Sequence, residues 1–282
     1  MDTRVLISTS ELAERLGAAD LRIVDCRFYL SDKQKGRHAY AESHIPGAVF
    51  GDLEEHLSGP IIPGQTGRHP LRDADELADV FGVWGIDEHT QVVAYDDMGG
   101  AIAARLWWML RWLGHDQVVV LDGGWQGWLA ETRPVSDRVM APDRTVFKPN
   151  LQPDMVVAVD QVAQMVADPR MCVVDSRSTV RYRGEQEPID PVAGHIPGAV
   201  NLPFAENLGA DGRFLSQAQL RQRFEAVLGG RDPGSAVFYC GSGVTAGHNM
   251  IGMAHAGLGT GRIYPGSWSE WICDETRPIV PD

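Results

Sequence analysis

A chain of 282 residues that is 44% hydrophobic has enough apolar material for two ordinary packed cores. Its net charge of −13 and pI near 5.1, with no basic run to serve as a phosphate footprint, argue against a nucleic-acid partner. No apolar stretch is long enough to span a bilayer, and Met1-Asp2-Thr3-Arg4 lacks the basic, apolar and cleavage regions of a secretory leader, so a cytoplasmic location is the default expectation.

The first predicted strand runs from Arg22 to Val24 and closes on Asp25-Cys26-Arg27. A turn, His44-Ile45-Pro46-Gly47-Ala48-Val49, follows. Two polar segments come next, Gly51-Asp52-Leu53-Glu54-Glu55 and Gly67-Arg68-His69-Pro70-Leu71. By composition alone, Glu54 is a solvated carboxylate there and His69 a loop histidine before a proline. Gln91 to Tyr95 is a second strand, ending at Asp96. Ala101 to Leu113 reads as an apolar-rich helix whose Trp107, Trp108 and Trp112 belong to a core. Gln117 to Leu121 is a further buried strand, and Trp125 and Trp128 after it, three apart, read as packing.

Beyond the polar, proline-containing stretch from Arg133 to Pro153 the same signals recur in the same order. Val174-Asp175-Ser176-Arg177 repeats Val24-Asp25-Cys26-Arg27, and His195-Ile196-Pro197-Gly198-Ala199-Val200 repeats the turn. Pro265-Gly266-Ser267-Trp268-Ser269-Glu270-Trp271 repeats the tryptophan segment. Met171 to Val174 and Ala236 to Tyr239 match the first two strands. The expectation is two tandem domains, 1–135 and 154–282, joined by a linker over 136–153. Short Val/Ile runs alternating with helices give each a mainly parallel α/β sheet flanked by helices. Functional groups in such sheets sit beyond the carboxyl ends of the strands.

Cys240 lies at such an end, in Val237-Phe238-Tyr239-Cys240-Gly241-Ser242-Gly243-Val244-Thr245-Ala246. A strand, a two-glycine loop and a helix start place the sulfur in a ring of backbone N–H groups, which favours thiolate over thiol. Cys26 and Cys172 sit in apolar strand patterns and read as small buried hydrophobes; Cys273 has no catalytic context. No C-x-x-C pair or zinc spacing occurs, so no metal or organic cofactor is expected. Asp96 aligns with Cys240. An aspartate cannot carry a sulfane sulfur, so the first copy is expected to be non-catalytic. A groove between the copies is the expected substrate site. His44 and His195 occur in both copies, as do the Asp25–Arg27 and Asp175–Arg177 pairs, so they read as structural. Cysteine phosphatases place an arginine at the sixth position after the cysteine; that position is Ala246 here, which weakens a phosphatase reading.

Together these residues resemble the tandem-domain rhodanese superfamily of sulfurtransferases over nearly the whole chain. The loop from Cys240 to Thr245 is most similar to that of 3-mercaptopyruvate sulfurtransferases, whereas thiosulfate sulfurtransferases usually carry basic residues after the cysteine. The resemblance implies a Cys240 persulfide, an anionic sulfur donor (3-mercaptopyruvate first, thiosulfate next) and an acceptor that is cyanide, thioredoxin or a small thiol. It makes Arg181 the residue that binds the donor's acid group, with Gly241, Gly243, Val244 and Thr245 forming the substrate-binding loop. It makes Ser242 with His69 and Glu54 a proton relay, Asp52 being the next choice for the acid. A second donor-binding arginine of the mercaptopyruvate pattern is missing, since Glu187-Pro188-Ile189-Asp190-Pro191 stands in its place. A persulfide carrier or sensor with little small-donor turnover is the other reading this resemblance allows.

Overall fold

The computed structural model describes residues 4–280. Two compact units divide the chain, and the division is not a single cut. One comprises residues 1–58, 72–152 and 210–214; the other comprises 59–71, 153–209 and 215–282. The segment carrying Arg68 and His69 therefore belongs to the same unit as Cys240, although it precedes most of the first unit in sequence.

The first unit holds five strands: β1 (Leu6–Ile7), β2 (Leu21–Asp25), β3 (Ala48–Phe50), β4 (Gln91–Tyr95) and β5 (Val118–Leu121). They are ordered β1-β5-β4-β2-β3, and every pairing is parallel. Its helices are α1 (Thr9–Glu14), α2 (Lys35–Glu42), α3 (Ala74–Val83), α4 (Ala103–Trp112) and α5 (Gly124–Ala130). The second unit holds β6 (Cys172–Asp175), β7 (Val200–Asn201), β8 (Ala236–Tyr239) and β9 (Arg262–Ile263), ordered β7-β6-β8-β9 and again parallel. Its helices are α6 (Val159–Met165), α7 (Thr179–Tyr182), α8 (Gln217–Leu228), α9 (Ala246–His255) and α10 (Ser267–Trp271). This is the α/β architecture the periodicity implies. The strands read from sequence are present within a residue or two; β1, β3, β7 and β9 are two or three residues long, too short to carry a period. Among the described residues, no helix is long and apolar enough to cross a membrane.

Each unit has its own core. Ile23, Val93, Val119, Tyr40 and Trp128 pack in the first, and Val173, Val237, Ile196, Trp268 and Trp271 in the second. Parallel strands covered by helices on both faces must be largely apolar, which is why β4, β5, β6 and β8 are apolar-rich and buried almost end to end.

The repeated motifs serve as joints. Arg27 and Arg177 each fold back onto the aspartate two residues earlier, at 2.7 and 2.6 Å, with both carboxylates fully buried. Trp125 and Trp268 cover the two guanidinium planes at 4.6 and 4.8 Å. Such charges are tolerated only because every partner is present; removing one partner of a buried pair costs about 3–5 kcal/mol. His44 stacks on Tyr40 and pairs with Ser136, while His195 stacks on Tyr182 and pairs with Val280, so both histidines pin a later stretch of chain.

Candidate active site

Both central strands, β4 and β8, run into a loop that curls around one buried side chain. Cys240 follows β8 directly and is fully buried. Burial pushes its thiol up. The Thr245 hydroxyl and the Ser242, Ala246 and Val244 N–H groups outweigh this and hold it below the usual thiol range. These donors exist because the chain turns sharply between strand and α9, so its N–H groups point inward. Gly243 makes that turn with φ +73°, and any Cβ there would strike the Pro265 carbonyl. Of the loop residues expected to bind substrate, Val244 and Thr245 thus reach Cys240 itself.

One further stretch of chain, residues 264–269, holds the loop. The Cys240 N–H donates to Ser267 Oγ at 3.0 Å, and the Ser267 hydroxyl donates to the Tyr264 carbonyl at 2.9 Å. The Cys240 and Gly241 carbonyls accept from the N–H groups of Trp268 and Ser269. Ser267 is fully buried at φ 56°, the left-handed conformation that Gly124 adopts at φ 53° in the first unit. A non-glycine residue there carries about 1–3 kcal/mol of strain, which its two hydrogen bonds offset. Sequence alignment paired Ser267 with Gly124, but nothing in the residue type signalled this conformation.

His69 and Ser242 meet: Nδ1 lies 2.8 Å from the hydroxyl oxygen, and both residues are buried. Glu54 belongs to the first unit, where its carboxylate pairs with Lys33 at 2.9 Å. Asp52, in the same unit, accepts from the N–H groups of Glu54 and Glu55.

Arg181 is committed to carboxylates. Its Nε and Nη2 grip Glu187 at 3.0 and 2.7 Å, and Nη2 also reaches Asp190 at 3.0 Å. Glu187 extends to Arg177 at 3.3 Å, and Asp190 also accepts from Arg68 Nη1. The stretch from Glu187 to Asp190 therefore supplies two nearly buried carboxylates that order three guanidinium groups. Sequence reading missed the Arg68–Asp190 pairing because it joins segments far apart in the chain, and the Glu187 pairings with Arg181 and Arg177 because a loop carries no periodic signal.

The first unit shows what happens without a cysteine. Asp96 is fully buried in the equivalent loop, where Oδ1 accepts from the Met98 and Gly100 N–H groups and Oδ2 from those of Ile102 and Ala103. The side chain's own carboxylate fills the anion cradle. Among the described residues, no group of three or more His, Cys, Asp or Glu side chains is placed to hold a metal ion.

The rhodanese-like domain family matches residues 8–131 and 158–273. The chain belongs to the rhodanese family. A probable 3-mercaptopyruvate sulfurtransferase of Pseudomonas aeruginosa is 48% identical to this rhodanese over 283 residues, covering 99% of both chains. The bovine thiosulfate sulfurtransferase is 37% identical, over 95% of this chain and 92% of its own. Among solved structures, the 3-mercaptopyruvate sulfurtransferase of Leishmania major superposes with a TM-score of 0.83 at 35% identity, over 96% of this chain and 75% of its own. Full-length kinship at this level makes the rhodanese described here a sulfurtransferase.

Proposed function

We propose that this rhodanese takes sulfur from 3-mercaptopyruvate through a Cys240 persulfide, with thiosulfate as the weaker donor. The observation that carries the reading is the buried thiol whose pKa is lowered by the Thr245 hydroxyl and N–H groups of its own loop, with Ser242 of that loop hydrogen-bonded to His69 of the segment 59–71. The Cys240 thiolate attacks the donor sulfur. An S–S bond forms, the donor's C–S bond breaks, and its electron pair passes to the pyruvate enolate carbon, which takes a proton to give pyruvate. Ser242 supplies that proton and is recharged through His69 Nδ1. The carboxylate assigned to this relay is Glu54. Its pairing with Lys33 lends that assignment no support, so Glu54→Gln belongs among the test variants.

Thiosulfate needs no proton, because sulfite leaves as an anion. A thiol acceptor such as thioredoxin, or a small thiol, then attacks the outer persulfide sulfur and restores the Cys240 thiolate. The four unpaired cysteines fit a reducing compartment such as the cytoplasm.

Steady-state rates with both donors test this reading. Cys240→Ser should abolish turnover with each donor, and surviving turnover would overturn the assignment. Ser242→Ala and His69→Ala should slow 3-mercaptopyruvate more than thiosulfate, by about 10²-fold or more for a lost general acid. Equal slowing with both donors would remove the proton relay. A wild type far faster with thiosulfate would reverse the donor order.

A further inference from the structure

We propose that the first unit carries a binding cleft for a free amino acid with an apolar side chain, set between α3 and the turn of residues 52–56 and separate from the Cys240 loop.

The cleft has a volume of about 370 Å³ and is lined wholly by residues of the unit that carries Asp96. Space of this order accommodates a small organic ligand. Its floor is one face of α3. Glu76, Asp79, Val80 and Val83 fall at helical spacing on that face, whereas Leu77 and Phe81, on the other, are fully buried. Val83 is 50% exposed, so the floor presents apolar surface to solvent. Trp84 closes the end of the helix, and the His56 ring stands edge-on to it with centroids 5.4 Å apart. Arg72 completes the lining.

The polar groups of the cleft match a zwitterion. Arg72 commits Nε to Glu76 at 3.0 Å and Nη1 to the Glu55 and His56 carbonyls, which leaves Nη2 without a hydrogen-bond partner among the described residues. His56 Nδ1 accepts from the Asp52 N–H at 2.9 Å. Burial holds this imidazole below its usual range, with Asp52 and Glu55 opposing, so the ring is neutral and its proton sits on Nε2. Arg72 Nη2 and His56 Nε2 are thus two donors suited to a carboxylate. Both side chains are already tied to the turn of residues 52–56, so the donors are ordered before a ligand arrives. Glu76 and Asp79 suit an ammonium group. Each pairs with an arginine, Arg72 and Arg144, yet their side chains remain 55% and 76% exposed and can accept further bonds. A ligand bearing one charge leaves one set of groups unused. An α-amino acid engages both, and its apolar side chain covers Val80, Val83 and Trp84.

Isothermal titration calorimetry of the full chain with L-leucine, leucinamide, 4-methylpentanoate and glycine tests the assignment. L-Leucine should bind saturably, with equal affinity after Cys240 has been alkylated by iodoacetamide. Leucinamide lacks the carboxylate, 4-methylpentanoate the ammonium and glycine the side chain, and each should bind about tenfold more weakly or worse. Arg72→Gln should weaken L-leucine by a similar factor. Val83→Gln, at an exposed position, should weaken it several-fold, and thermal melting checks that both variants fold. Absence of saturable L-leucine binding would overturn the proposal, as would unchanged affinity in a folded Arg72→Gln or equal affinity for L-leucine and leucinamide. Equal affinity for L-leucine and 4-methylpentanoate would make the cleft a site for simple carboxylates and overturn the amino-acid assignment. Loss of binding on alkylation would place the ligand at the Cys240 loop instead.

Discussion

A fully buried thiol should resist ionisation, and Cys240 does the opposite because hydrogen bonds to its sulfur outweigh desolvation. Thr245 contributes through its hydroxyl, so Thr245→Val removes a donor without much change of shape. The group is an acid whose pKa is depressed in the folded protein. Losing a donor therefore shifts its titration upward and lowers the thiolate fraction at neutral pH. The pH midpoint of iodoacetamide inactivation should lie below that of a free thiol in the wild type and move up in Thr245→Val; an unmoved midpoint would show that the N–H groups suffice. The Cys240 loop was legible in the sequence because it falls within a short run of chain. Arg68, Glu187 and Asp190 were not, since a carboxylate nine residues beyond Arg181 looks like surface until its partner arrives from residue 68.

The decisive element is the strand–loop–helix unit, present twice. After β8 it wraps the Cys240 sulfur, and after β4 it wraps the Asp96 carboxyl group. The geometry depends on residues that permit an abrupt turn. Gly243→Ala adds a Cβ at positive φ and against the Pro265 carbonyl, so the loop must open and the N–H ring disperse. Turnover should fall by orders of magnitude, read from steady-state rates, while far-UV circular dichroism stays close to wild type; near-normal turnover would mean that the ring does not set the thiolate. The alignment of Asp96 with Cys240 was visible from the repeat. That the carboxylate accepts from four N–H groups was not, because those donors are backbone atoms and carry no residue signature.

Across the whole molecule, two similar units carry one cysteine at the end of the β4 or β8 strand, Cys240, with Asp96 at the matching position. Loading with 3-mercaptopyruvate and removal of excess donor should add one sulfur atom per chain by intact mass, on the peptide containing Cys240. Asp96→Ala leaves four N–H groups without their acceptor and should destabilise the protein by about 2–4 kcal/mol in denaturant unfolding. Turnover per folded molecule should be unchanged, and a matching loss of turnover would give the first unit a part in catalysis. By itself the sequence determined the duplicated α/β architecture and the presence of the cysteine loop in one copy only, because those follow from local periodicity and motif. Only the tertiary structure decided which residues surround the sulfur. Segment 59–71 folds with the Cys240 unit and brings in Arg68 and His69, and Ser267 adopts a strained turn beneath the loop. The physical reason is that hydrogen bonds and ion pairs act across space, so their partners are set by packing and not by chain order.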